Sequence, residues 1–150
     1  YSGAEAWIAH FEGLGIRVLK NERITVAHDG AALDVLGVHD WRSASFGHGP
    51  DLDAALAGKP AARKTLLLAH QPKQIDEAAR HGVDVQISGH THGGQIFPFN
   101  FLVRLAQPYV AGLHEHRGTQ LYVSAGTGYW GPPMRLGIPA EITELELRPA

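Results

Sequence analysis

Residues 88 to 95 read Ser-Gly-His-Thr-His-Gly-Gly-Gln and follow directly on the apolar run Val83-Asp84-Val85-Gln86-Ile87. Two imidazoles one residue apart, where a strand runs out into a glycine-rich turn, can turn two nitrogen ligands toward one cavity. In an extended segment His90 and His92 project to the same side. Gly89, Gly93 and Gly94 let the backbone pass close to that cavity and leave amide hydrogens to meet an anion. The chemistry within reach of such residues is metal-assisted attack on a phosphate ester. A second His-X-His pair, His114 and His116, lies among Glu115, Arg117 and Gly118 and reads instead as a solvated hairpin.

A third imidazole belongs with the first pair. The run Thr65-Leu66-Leu67-Leu68-Ala69 does not alternate, as expected of a strand covered on both faces, and His70 stands at its end. Pro72 opens a helix whose apolar side is Ile75, Ala78 and Ala79, and Gly82 closes it before the strand at 83 to 87. Strand, helix, strand is a parallel crossover. It places His70 and His90 side by side at the carboxyl edge of a sheet, where open α/β sheets bind ligands. With no cysteine in 150 residues, any metal is held by nitrogen and oxygen, a donor set that suits zinc, iron or manganese.

Other elements frame this centre. Ser2 and Glu5 form a capping box for a helix that carries Ala4, Trp7, Ile8 and Phe11 on one buried face and ends at Gly13 and Gly15. Residues 16–19, 23–27 and 32–38 read as strands, with Asp29-Gly30 as the hairpin turn between the last two. Residues 50–57 form a helix that starts at Pro50 and stops at Gly58. The length and the 44% apolar content fit one domain, 1–150, with its own core. A net charge of −2 without a basic run argues against nucleic-acid partners. No apolar stretch nears the ~20 residues of a membrane span, so the chain reads as soluble. It begins at Tyr1 rather than methionine, from which we expect a fragment or processed product.

Leu-Ala-His-Gln-Pro at 68 to 72, followed by Ser-Gly-His-Thr-His-Gly-Gly-Gln at 88 to 95, resembles the C-terminal half of the calcineurin-like metallophosphoesterases. The late segment Ser124-Ala-Gly-Thr-Gly-Tyr-Trp-Gly-Pro-Pro-Met-Arg-Leu-Gly resembles the bacterial, membrane-associated phosphodiesterase branch of that superfamily. The resemblance implies an α/β fold, a four-layer α-β-β-α sandwich, of which this chain is roughly the C-terminal half. It implies two divalent metal ions in the parent protein, manganese, iron or zinc, with His70 and His90 on one and His92 on the other. Two such ions clamp a phosphodiester and activate a water. Gly93 and Gly94 are candidate backbone donors to phosphate, or simply a turn. Arg135 is a candidate phosphate ligand, or a surface salt bridge. The substrate implied is a phosphate-ester small molecule or a lipid head group, and the parent is expected to be membrane-associated in a bacterium.

The family pattern also requires Asp-X-His, Gly-Asp and Gly-Asn-His segments, and none stands in this sequence. No catalytic residue is therefore assigned here. We expect the chain to hold metal partially or not at all and to be inactive alone. Asp40, in Gly-Val-His-Asp, is read as no substitute because its strand belongs to a different part of the fold. A half domain should expose a sheet face, to be covered by the N-terminal half or by self-association. Two other readings stay open: a noncatalytic metal-binding or interaction module of the same fold, and a mononuclear zinc hydrolase lacking an identified base. Tyr129 and Trp130 either line the substrate entrance or pin a loop. Residues 97–105 form either core or a membrane-leaning flap, and His39 and His48 are unassigned.

Overall fold

The computed structural model describes residues 3–148. Its strands are β1 (Glu22–His28), β2 (Ala31–Gly37), β3 (Lys64–Leu68), β4 (Val85–Ser88), β5 (Gly112–His116) and β6 (Thr119–Val123). They form one sheet in the order β1-β2-β3-β4-β6-β5. The central pairs β2-β3, β3-β4 and β4-β6 are parallel, and the two edge hairpins β1-β2 and β5-β6 are antiparallel. This is the mixed α/β architecture expected of half a sandwich, with a single sheet among the described residues.

Helices α2 (Leu52–Leu56) and α3 (Ile75–Arg80) cover one face. Their Leu52, Ala55, Ile75 and Ala78 pack with Leu36, Leu67, Leu121 and Val123 of alternate strand positions into one buried core. The opposite positions, which include Val26, Val35, Leu66, Leu68, Ile87 and Leu113, are half-buried or exposed. By the same alternation they share the other face of the sheet.

Local signals worked where one residue type dictates the backbone. Asp29 (φ 48°) and Gly30 (φ 79°) make the β1-β2 turn, as a two-residue hairpin with both central residues left-handed requires. Pro72 begins a single tight turn, Pro72–Gln74, which runs into α3. Helix α2 starts after Asp51 instead of at Pro50, because the Asp51 carboxylate accepts from Ala54 N at 2.8 Å and caps it.

Two expectations need correction. Helix α1 (Ala4–Gly13) forms, but none of its residues is buried, and Trp7 and Phe11 stack on one another 5.6 Å apart on an exposed stripe. Its Ser2 cap lies outside the described residues; Gly3 occupies the cap position without a side-chain bond. Residues 16–19 form no strand. The chain there is pinned by Asn21, whose side-chain oxygen accepts from His39 N and Asp51 N and whose amide donates to Gly49 O. No described helix is long and apolar enough to cross a membrane.

Candidate metal centre

The carboxyl tips of β3 and β4 are locked to one another before the histidines begin. Ala69 N donates to Ile87 O at 3.1 Å, Gly89 N to His70 O at 3.1 Å, and Ser88 Oγ to Ala69 O at 2.7 Å. Buried Gln86 holds the Ser88 hydroxyl through its Nε2 at 2.9 Å. His70 and His90 emerge from this clamp with Nε2 of one 3.3 Å from Nδ1 of the other and their rings nearly perpendicular, at 73°. Two nitrogens each about 2.0–2.1 Å from one tetrahedral cation sit roughly 3.3–3.4 Å apart. The same spacing suits a long hydrogen bond between neutral rings.

Charge state supports ligation. Burial pushes the His70 imidazole below its ordinary pKa; Asp40 opposes that shift and His92 adds to it. Burial also lowers His90, with His70 the next contributor. Both rings are therefore neutral at pH 7, the form that binds metal.

His92 shares the cavity with His90 but not by the extended backbone expected. Strand β4 ends at Ser88, and His90 (φ 71°), Thr91 (φ −78°) and His92 (φ 52°) are not extended, so the two-residue alternation does not apply. His92 lines the same cavity as His70 and His90. Among the described residues, however, no group of three or more His, Cys, Asp or Glu side chains could hold a metal. The centre consists of a two-imidazole pair with a third histidine nearby. That donor set fits a divalent cation as part of its ligands.

Gly93 and Gly94 serve packing. The Gly94 amide donates to Thr91 O at 2.8 Å and the Gly93 amide points to Thr91 Oγ1 at 3.4 Å, so the turn itself uses both. A side chain at Gly94 would run into Asn100. Both amides are engaged within the turn in this structure.

Arg135 makes no ion pair among the described residues and donates instead to backbone carbonyls. Its Nε donates to Ile138 O, its Nη1 to Gly128 O, and its Nη2 to His92 O at 2.8 Å and Ala125 O at 3.1 Å. The guanidinium ties the backbone after His92 to two loops. Buried Gln95 does the same for the Gly-Pro-rich loop, donating to Trp130 O at 2.8 Å and Pro132 O at 3.2 Å and accepting from Trp130 N. Trp130 is thereby held, exposed, on the rim of a cavity of about 540 Å³ that opens onto the histidines.

The reason for setting Asp40 aside needs correction, although Asp40 completes no metal-holding group among the described residues. Because β2 pairs in parallel with β3, the residues after it arrive beside His70, and the Asp40 charge reaches both rings. Its carboxylate accepts from Arg42 N at 2.8 Å and from Nε2 of buried Gln71 at 3.2 Å. The signal in the sequence was the Gly-Val-His-Asp exit from a strand, and it was misplaced only by the strand order. His116 is also less solvated than its hairpin implied. It sits between Tyr109 Oη at 2.9 Å and Asp76 Oδ1 at 3.0 Å, pinning β5 to α3.

Comparison with known proteins places the chain among metallophosphoesterases. An uncharacterized metallophosphoesterase of Helicobacter pylori strain J99 is 45% identical over 154 residues, 99% of this chain and 40% of that protein. A bovine transmembrane protein with metallophosphoesterase domain is 41% identical, over 99% of this chain and 36% of that protein. An uncharacterized metallophosphoesterase of Aquifex aeolicus is 30% identical, over 99% of this chain and 57% of that protein. The chain thus spans only about 40% of the curated relatives first matched. No family model and no solved structure matches it. With paired histidines at adjacent strand tips and such relatives along nearly its whole length, the chain belongs to the calcineurin-like metallophosphoesterase superfamily.

Proposed function

We propose that the protein containing this chain is a metal-dependent phosphoesterase acting on phosphodiesters, and that these 150 residues contribute only part of its centre. The observation that carries the reading is the His70-His90 pair, two ring nitrogens 3.3 Å apart lining one cavity. His70 and His90 would share one cation and His92 would serve a second. When bound, a pair of divalent ions supplies charge neutralisation for the phosphoryl group and a nucleophilic water.

This chain's residues do the positioning. Ser88 and Gln86 hold the two strand tips together, Arg135 anchors the His92 turn, and Asp40 sets the charge behind both rings. Remaining ligands and any proton donor would come from the part of the domain beyond this chain. That part would also cover the apolar sheet face. Relatives named as transmembrane proteins support a membrane-associated parent.

The test is hydrolysis of bis-p-nitrophenyl phosphate by the full-length protein with added manganese. Changing His70 or His90 to alanine should lower kcat/KM by at least about 100-fold, roughly the cost of disrupting a metal site. Unchanged turnover in both variants would refute the reading. The isolated 150-residue chain should show no turnover, and robust hydrolysis by it would overturn the partial-site reading. Metal analysis of the full-length protein separates the noncatalytic alternative, which predicts no second equivalent sensitive to His92→Ala.

A further inference from the structure

Helix α4 (Asn100–Ala106) has no buried residue, yet it and the residues before it are almost wholly apolar. Phe97, Phe99, Phe101 and Leu102 are about half exposed and Leu105 is 85% exposed, so this segment adds little to the core that folds the chain. Of the two readings left open by the sequence, the structure sets the core reading of α4 aside. The inner side of the segment, Phe99, Leu102 and Val103, walls the histidine cavity, and Trp130 stands 71% exposed on the same rim.

Charge on the crest itself is sparse and carries no carboxylate, Asp40 lying deeper, beside the imidazoles. From Gln95 to Leu113 the sole formal charge is Arg104, and no carboxylate occurs. At the cavity mouth stands Arg42, and next to it Lys73 lies 4.9 Å from the ring of exposed Trp41. A continuous apolar crest flanked by tryptophan and cations is the composition that settles at a bilayer interface, with apolar groups among the acyl chains and cations at anionic head groups. Because α4 walls the cavity, a protein layer over it would close the mouth through which a substrate enters.

We propose that α4 and the Trp130 rim dock on an anionic lipid surface, so that the histidine cavity opens toward the head-group layer. A phosphate ester presented from that surface would reach the imidazoles without leaving it. This last step rests on the phosphoesterase reading, whereas the docking itself does not.

The experiment places an environment-sensitive nitrobenzoxadiazole label at Leu105→Cys in the full-length protein. This stretch has no cysteine of its own. With vesicles of phosphatidylcholine and about one-third phosphatidylglycerol, the label should shift to the blue and be quenched by acyl-chain doxyl groups; a label at Asp29→Cys should not. The double variant Phe101→Asp and Leu105→Asp should raise the lipid concentration needed for the same shift, read from a label at Phe97→Cys, about tenfold or more. Its turnover of a soluble diester should be unchanged, so loss of docking and loss of catalysis are scored separately. A Leu105 label shielded from aqueous iodide before lipid is added would show that protein covers the helix, and would overturn the proposal. So would a label that stays accessible to iodide at saturating lipid.

Discussion

Several side chains around the centre act by holding backbone in place. The Arg135 guanidinium makes four hydrogen bonds to carbonyls in three segments, one of them His92 O. Replacing it with alanine strands carbonyls that it now satisfies and frees the turn carrying His92. We expect Arg135→Ala to destabilise the fold by about 2–3 kcal/mol in urea titrations, since hydrogen bonds to charged groups are worth about 1.5–3 kcal/mol each but are not additive. Arg135→Lys should recover less than half of the loss, because a single ammonium cannot span three segments. An undisturbed midpoint for Arg135→Ala would contradict the assignment. Asp40 acts at longer range: its charge partly offsets the burial that keeps His70 and His90 neutral.

At the scale of elements, the β1-β2 hairpin is joined to β3 by a buried carboxylate. Asp34 is fully buried, with Arg23 at 2.9 Å, Thr25 Oγ1 at 2.7 Å and Arg63 at 3.4 Å. Burial alone would raise its pKa. The hydrogen bond from Thr25, then Arg23 and Arg63, outweigh that and hold it below the usual 3.8. A carboxylate depressed in the folded state binds fewer protons folded than unfolded, so its contribution is complete above 3.8 and is lost as pH falls through the lower folded value. Urea midpoints should therefore drop below about pH 3.8, and Asp34→Asn should flatten that drop while costing about 2 kcal/mol at pH 7. An equal acid slope in the variant would place the sensitivity elsewhere. The β5-β6 hairpin has an analogous tie through His116 to Asp76, more exposed and correspondingly weaker.

For the molecule as a whole, the dominant fact is a sheet finished on one side only. Core residues fill the face under α2 and α3, while Val26, Leu68 and Leu113 on the other face remain 49%, 43% and 67% exposed. Contiguous apolar surface of this kind associates or binds dye. The isolated chain should bind anilinonaphthalene sulfonate and run larger than 16.2 kDa in sedimentation, whereas the full-length protein should do neither through this face. A monomeric, dye-silent isolated chain would mean that its own tail suffices as cover. That tail touches the sheet at Tyr122, whose hydroxyl donates to Glu141 Oε1 at 2.8 Å. Beyond it Ile142, Leu145 and Leu147 stay exposed, and residues 138–148 form no strand.

What could be read from the sequence were features decided within a few residues: the left-handed Asp29-Gly30 turn, the proline that opens the α3 segment, and the crossover that sets His70 beside His90. Their cause is local, in backbone sterics and in which side of a short element is apolar. Direction and partnership were decided only in three dimensions. His90 and His92 reach one cavity by left-handed backbone at both rather than by strand alternation, and Arg135 turned inward because carbonyls from distant loops surrounded it. Asp40 reached the centre because β2 lies beside β3. The expected strand at 16–19 is absent because an edge of backbone donors becomes a strand only when another edge meets it.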